Sequence, residues 1–125
     1  MLSSSKKKYL FAICKLGIDG NRIQSADIAR YLKVKRPSVS KMLKILSSEG
    51  FIEKECYGKI TFTTQGLKVA NLLYTNYLFL FEYFFNHLHL SEENASHDAF
   101  VCICDFSDEG VEKHISFLLD KEKTK

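Results

Sequence analysis

The 125-residue sequence lacks several features that would place it in other protein classes. Its longest apolar stretch, residues 77–85, is interrupted by Glu82 and is far shorter than the roughly 20 residues that a transmembrane helix requires. The polar and basic opening, MLSSSKKK, is not followed by the apolar segment of a secretory signal peptide. These absences predict a cytoplasmic protein with no membrane partner.

Catalytic and disulfide signatures are also missing. The four cysteines, at positions 14, 56, 102 and 104, have neither disulfide-framework nor zinc-finger spacing, so we expect most of them to be reduced and buried. There is no glycine-rich phosphate loop, no G-x-S-x-G and no carboxylate pair in a plausible pocket. The sequence therefore predicts a protein that is not an enzyme and has no catalytic residues.

The charge is divided unevenly along the chain. The net charge is only +3, but residues 1–70 carry 14 Lys/Arg against 5 Asp/Glu, whereas residues 71–125 carry 4 against 10. Such charge asymmetry is typical of a protein in which one half faces nucleic acid and the other half has a different partner. A solvated basic surface without a partner is the alternative.

Residues 25–50 follow a helix-turn-helix pattern. Ser25 can cap a short helix with Ile28 and Leu32 on one side, and Pro37, the only proline, suits the first turn of the next helix. That second helix has an apolar stripe at i, i+3, i+4 and i+7, formed by Val39, Met42, Leu43 and Leu46. Its other face has hydroxyls and cations without an acid, namely Ser38, Ser40, Lys41 and Lys44.

A β-hairpin is predicted directly after this second helix. Gly50 is a helix stop, and residues 51–55 and 59–63 read as strands that flank Cys56-Tyr57-Gly58. This order is typical of a winged helix-turn-helix, in which the second helix lies in the DNA major groove. We therefore predict a mainly α fold with a small β-hairpin wing, and a DNA-binding domain over residues 1–66.

The second half predicts a helical dimerisation region over residues 67–125. Thr63 or Thr64 caps a helix from Gln65 to about His87, and seven of residues 74–85 are aromatic. Because these rings go nearly all the way round, the helix must be covered on all sides, and a second copy of the chain is the simplest cover. The residues predicted at this interface are Tyr74, Tyr77, Phe81, Phe84 and Phe85.

Two shorter helices follow in this half. Ser91 opens the first, with an apolar stripe predicted at Ala99, Cys102, Ile103 and Phe106. Ser107 opens the second, with inward-facing residues predicted at Val111, Ile115, Leu118 and Leu119.

In this order of elements the sequence resembles the iron-dependent repressor family, of the diphtheria-toxin-repressor and manganese-transport-regulator type. The resemblance covers residues 5–119 and rests on the segments 25–29, 37–42, 49–52, 62–66 and 107–109. It implies a homodimeric repressor that binds a palindromic operator on double-stranded DNA, in the short form that lacks an SH3-like domain. It also implies that a transition metal is a possible cofactor.

The metal ligands of the family are largely unmatched. The positions that the resemblance assigns to ligands fall on Lys8, Phe11, Tyr77 or Leu78, Phe100, Ile103 and Cys104. Only Cys104 among the ligand positions of the first and fifth helices could coordinate a metal, and His97 is a further candidate nearby. We therefore expect a degenerate metal site and DNA binding that does not depend on metal.

The DNA contacts follow from residue type. Arg36 is predicted to read guanine, Pro37 to contact a thymine methyl, and Ser38 and Ser40 to contact bases or phosphates. The phosphate and wing contacts are predicted at Lys41, Lys44, Lys54, Tyr57 and Lys59. The alternatives are a winged-helix protein-interaction module and a regulator controlled by another metal or by a small apolar ligand held among residues 79–85.

Overall fold

A computed structural model describes residues 2–20, 22–54 and 58–123, with side chains to residue 121. The chain forms two compact units, residues 1–74 and residues 75–125. The functional boundary predicted between residues 66 and 67 stays a prediction.

The architecture is mainly helical with one antiparallel hairpin, as predicted. The elements are α1 (Ser4–Leu16), α2 (Ser25–Leu32), α3 (Arg36–Ser48), β1 (Ile52–Lys54), β2 (Ile60–Phe62), α4 (Thr64–Glu82) with a π-helical continuation (Tyr83–His87), α5 (Glu92–Asp105) and α6 (Asp108–Lys123). No helix in the described ranges is both long and apolar enough to cross a membrane.

The core of the first unit forms where α1, α2 and α3 meet. The stripe predicted on α3 is confirmed for Val39, Leu43 and Leu46, which are all buried, while Met42 is half-buried. The ring of Phe11 in α1 is fully buried and lies 5.9 Å, centroid to centroid, from the ring of Tyr74 in α4. Burial of these apolar side chains fixes which face of α3 is left for solvent.

Two helix caps differ in their agreement with the sequence. Ser3 caps α1, where its hydroxyl accepts a hydrogen bond from the backbone N–H of Lys6 at 3.2 Å. The prediction that Ser25 caps α2 is wrong, because Gln24 occupies that position and Ser25 is already helical. The carboxylate of Asp27 accepts a hydrogen bond from the Gln24 N–H at 2.9 Å, and this contact sets the start of the helix one residue earlier.

The hairpin is shorter than predicted. The register pairs Ile52 with Phe62 and Lys54 with Ile60. At its base the N–H of Thr63 donates to the Phe51 carbonyl at 3.1 Å, so these two residues join the hairpin to its flanking turns rather than extending it.

A hydroxyl and a glycine secure the base of the hairpin. The Thr63 hydroxyl donates to the Gly50 carbonyl at 2.6 Å and accepts from the Gly66 N–H at 3.0 Å. A Cβ on Gly66 would lie only 1.8 Å from the carbonyl oxygen of Phe51, so a side chain there would overlap the backbone. Gly50 has a φ of +84°, which favours glycine. The first turn of α4 is thereby held against the start of β1.

In the second unit the predicted helix starts are confirmed. The hydroxyls of Ser91 and Ser107 accept hydrogen bonds from the N–H groups of Asn94 and Gly110 at 3.1 and 2.9 Å. The fourth helix reaches His87 as predicted, but its last five residues are π-helical. Buried side chains form the core of this unit at Tyr77, Leu80, Ala95, Ala99, Cys102, Ile103 and Val111.

Two stripe predictions in the second unit are wrong. Phe106 follows the end of α5, where the backbone is extended, and is 45% exposed. Leu119 is 41% exposed because it lies about 100° round the helix from the half-buried Leu118.

Candidate nucleic-acid interface

The exposed face of α3 is polar and basic. The helix turns its apolar stripe inward, so every residue predicted to contact DNA from this helix is exposed: Arg36, Pro37, Ser38, Ser40, Lys41 and Lys44. Pro37 lies in the first turn, where its missing N–H leaves no helical hydrogen bond unmade. The arrangement gives a convex helix surface with cations and short hydroxyls, as major-groove readout requires.

No carboxylate belongs to α3 itself, and the one that follows it is paired. Glu49 caps the C-terminal end of the helix, and its carboxylate lies 2.8 Å from the ammonium of Lys6 in α1. Lys6 therefore offsets the negative charge at the C-terminal end of the helix, which favours a positive potential on this face.

The wing contributes two lysines at its described end. Lys54 ends β1 and Lys59 precedes β2, and both are exposed. Tyr57 lies outside the described residues.

A shallow notch separates the second half of α3 from β1. Its lining includes two serines that sequence reasoning missed, Ser47 and Ser48, in addition to Ser40, Leu43, Lys44 and Lys54. Ser47 lies seven residues after Ser40 and so on the same face of the helix. The spacing alone could have found it, but the sequence could not show that β1 forms the opposite wall.

Most side chains at the ligand positions implied by the family resemblance are poor ligands for a hard cation. Phe11 and Ile103 are buried hydrocarbon side chains, and Phe100 likewise has no donor atom. The hydroxyl of Tyr77 is hydrogen-bonded to the hydroxyl of Ser96 at 2.8 Å. Among the described residues, no three His, Cys, Asp or Glu side chains cluster as a metal site needs. The donor set therefore does not fit a hard divalent ion.

The two remaining metal candidates do not converge. His97 is exposed and lies 3.1 Å from Asp98, whereas Cys104 is buried. Both are on α5, and seven residues separate them along the axis by about 10 Å, which is too far for one ion to bridge. Burial also raises the pKa of the nearby Cys102 thiol, which keeps it protonated and a poor ligand.

The aromatic residues predicted at a dimer interface differ in exposure. Tyr77 is buried within its own unit, so the prediction that the chain leaves this helix uncovered is wrong on that side. Tyr74, Phe81 and Phe84 are half-buried, and Phe85 is 39% exposed. The rings of Tyr77, Phe81 and Phe85 form a continuous stack with centroid distances of 6.2 and 5.6 Å.

Comparison with known proteins agrees with this geometry. Residues 1–60 match the family model for the iron dependent repressor, N-terminal DNA binding domain. The transcriptional regulator MntR of Salmonella typhimurium is 33% identical over 108 residues, which cover 86% of this chain and 62% of that protein. The first half of this chain belongs to the iron-dependent repressor family. Proteins of this family are DNA-binding transcriptional regulators, not enzymes.

Two further similarities extend beyond the DNA-binding half. An uncharacterized HTH-type transcriptional regulator of Methanocaldococcus jannaschii is 29% identical over 125 residues, which cover 99% of each chain. The structure of the manganese regulator SloR superposes on this structure with a TM-score of 0.73 at 29% sequence identity. The match covers 90% of this chain and 53% of the SloR chain. The family and the fold predicted from sequence are confirmed.

Proposed function

We propose that this protein is a homodimeric, sequence-specific repressor that binds a palindromic operator. The acid-free, exposed face of α3 carries the proposal, because it combines a guanidinium, hydroxyls and ammonium groups on the surface that a major groove admits. Arg36 reads a guanine, Pro37 contacts a thymine methyl, and Ser38 and Ser40 contact bases or phosphates. The wing lysines contact the phosphate backbone of the DNA and so set the orientation of the protein on the duplex.

The dimer is supported by apolar surface in the second unit. Phe85, Leu88 and Phe117 are 39%, 51% and 60% exposed, and water is a poor environment for side chains of this size. A two-fold dimer presents two copies of α3, so its operator has two related half-sites.

DNA binding by this repressor does not require the metal of its relatives. The positions implied for ligands carry an ammonium at Lys8 and hydrocarbon at Phe11 and Ile103, and the buried Phe11 ring packs on Tyr74 instead. This packing joins α1 to the first half of α4 within the first unit without an ion.

A second candidate mode of control is a small apolar ligand. A cavity of about 550 Å³ in the second unit falls in the size range of ligand sites, and its walls are mainly apolar, with Leu80, Tyr83, Phe84 and Val101 among the lining residues. Of the aromatic run 79–85, Tyr83 and Phe84 reach this cavity. A protein-interaction module is the less favoured class, because such a module has no use for the cations of α3.

The test is selection of bound duplexes from a random DNA pool by the purified, metal-free protein. The proposal expects a consensus with two related half-sites and binding that weakens steeply with salt. Elemental analysis and native mass spectrometry of the same preparation identify any retained metal or organic ligand. Recovery of unenriched sequences at low salt would contradict sequence-specific recognition.

A further inference from the structure

The notch between α3 and β1 has the chemistry of an anion site. Two ammonium groups, on Lys44 and Lys54, line it, and among the residues that the structure describes no carboxylate does. Within the described part of the chain neither lysine has an acidic partner, so both positive charges face solvent. The buried side chain of Leu43 forms the floor and keeps a ligand at the rim.

The geometry of α3 and β1 determines which side chains face the notch. Ser40, Lys44 and Ser47 share one face of α3 because they are spaced by four and three residues. Lys54 points to the same side of β1 as the buried Ile52, since alternate strand residues share a face, and Glu53 therefore points away.

Two of the three serines that line the notch, Ser47 and Ser48, differ in what their hydroxyls can do. Ser48 already donates its hydroxyl hydrogen to the Ile45 carbonyl at 2.9 Å. The Ser47 hydroxyl has no partner within the described residues and can donate to an anion. Ser47 thus offers a neutral donor in a notch that two cations also line.

Duplex geometry indicates the anion. When α3 lies in the major groove and the wing reaches past its edge, the DNA strand that separates the two grooves must pass between them. Given the proposed function, we propose that the notch binds one backbone phosphate, held jointly by Lys44 and Lys54, with Ser47 donating a hydrogen bond. The ligand is a phosphodiester. This clamp, formed by Lys44 and Lys54, fixes how far α3 enters the major groove.

Sharing one phosphate makes the two lysines interdependent. Each neutralised phosphate contributes about −0.9 to the slope of log affinity against log salt. Lys44→Gln or Lys54→Gln alone leaves a cation on the phosphate and barely changes the slope. The double variant should reduce it by about 0.9 per chain, whereas two separate contacts would lose about 1.8. The double variant should also lose more affinity than the product of the two single losses, because no lysine is then left to hold the phosphate.

The experiment measures fluorescence anisotropy of a selected duplex and a scrambled duplex over a salt series. The variants are Lys44→Gln, Lys54→Gln, their combination, and Ser47→Ala, and thermal unfolding checks that each is folded. Lys68→Gln, an exposed lysine on α4, is the control for charge, and Ser48→Ala is the control for a serine whose donor is already used. Ser47→Ala should weaken both duplexes severalfold without changing the salt slope, and Ser48→Ala should change neither.

The outcomes distinguish failure of the proposed phosphate clamp from failure of the proposed DNA binding. Wild-type protein that binds no duplex would overturn both. If wild-type protein binds but each lysine variant lowers the slope by about 0.9, the lysines contact different phosphates and the clamp is wrong. Equal effects of Ser47→Ala and Ser48→Ala would also overturn it.

Discussion

The ammonium of Lys6 lies 2.8 Å from a carboxylate oxygen of Glu49, which joins the first turn of α1 to the C-terminal end of α3. Both groups are partly exposed, so the pair contributes little to stability, about 0–1 kcal/mol. We expect its larger effect to be on the electrostatic potential of the proposed DNA-facing surface, because Lys6 offsets the carboxylate at the end of that helix.

Glu49→Gln should therefore tighten DNA binding at low salt, and Lys6→Gln should weaken it, while both proteins unfold within about 1 kcal/mol of the wild type. Anisotropy titrations at two salt concentrations and chemical denaturation measure these quantities. The double variant should return close to wild-type affinity. Weaker binding by Glu49→Gln would show that the carboxylate has a positioning role instead.

Gly66→Ala should strongly destabilise the first unit. The added Cβ would overlap the Phe51 backbone, and the required shift should cost about 3 kcal/mol of unfolding free energy. Gly110→Ala is the matched control, because the nearest atom to its Cβ is the movable Ser107 hydroxyl at 3.0 Å. Denaturant unfolding that gives equal stability for both variants would contradict the close approach at Gly66.

Arg36→Ala should cost about 1–3 kcal/mol of specific binding and relax the preference at one base pair of each half-site. Its exposed position in the first turn of α3 allows a guanidinium to reach a base edge. Lys41→Ala is the comparison, since a phosphate contact weakens all sequences about equally. Competition titrations against single-base operator variants measure the difference, and an equal loss on operator and random duplex would mean that Arg36 contacts phosphate.

Chelation should leave operator binding unchanged. Lys8, Phe11 and Ile103 offer no ligand for a hard ion, so manganese or ferrous iron has nothing to organise there. The measurement is operator affinity after dialysis against a chelator, with and without added manganese, iron or zinc. A tenfold gain, about 1.4 kcal/mol, with manganese or iron would show that the assigned ligand positions are wrong.

Phe85→Asp should convert the protein to a monomer. Phe85 ends the stack that begins at Tyr77, and its exposed ring is where a second chain could bury apolar area. An obligate interface of this kind buries on the order of 2,000 Å² or more, so one buried charge without a partner should break it. Sedimentation velocity at micromolar concentration distinguishes the two states, and Asp19→Asn, at an exposed turn of the first unit, is a conservative control. A wild-type protein that sediments as a monomer would contradict the dimer.

The sequence predicted best what depends on local periodicity. The buried stripe of Val39, Leu43 and Leu46 follows from a 3.6-residue repeat, and this stripe determines which face carries the predicted DNA contacts. The start of α2 depends instead on which backbone N–H the Asp27 carboxylate reaches, and helical periodicity does not determine this contact. The proposed role of Ser47 could not be inferred before β1 was placed opposite it, because the sequence alone does not show which residues face a serine on a helix.

The contacts at the base of the hairpin also affect how the sequence of such a regulator can evolve. The Thr63 hydroxyl closes the hairpin on Gly50, and Gly66 holds the start of α4 on Phe51, so contacts outside the segment between the two strands hold the base of the hairpin on α4. Insertions or deletions between β1 and β2 therefore alter the reach of the wing while α3 keeps its position. The length of the operator, which depends on the reach of the wing, and the preferred bases, which depend on α3, can therefore evolve independently.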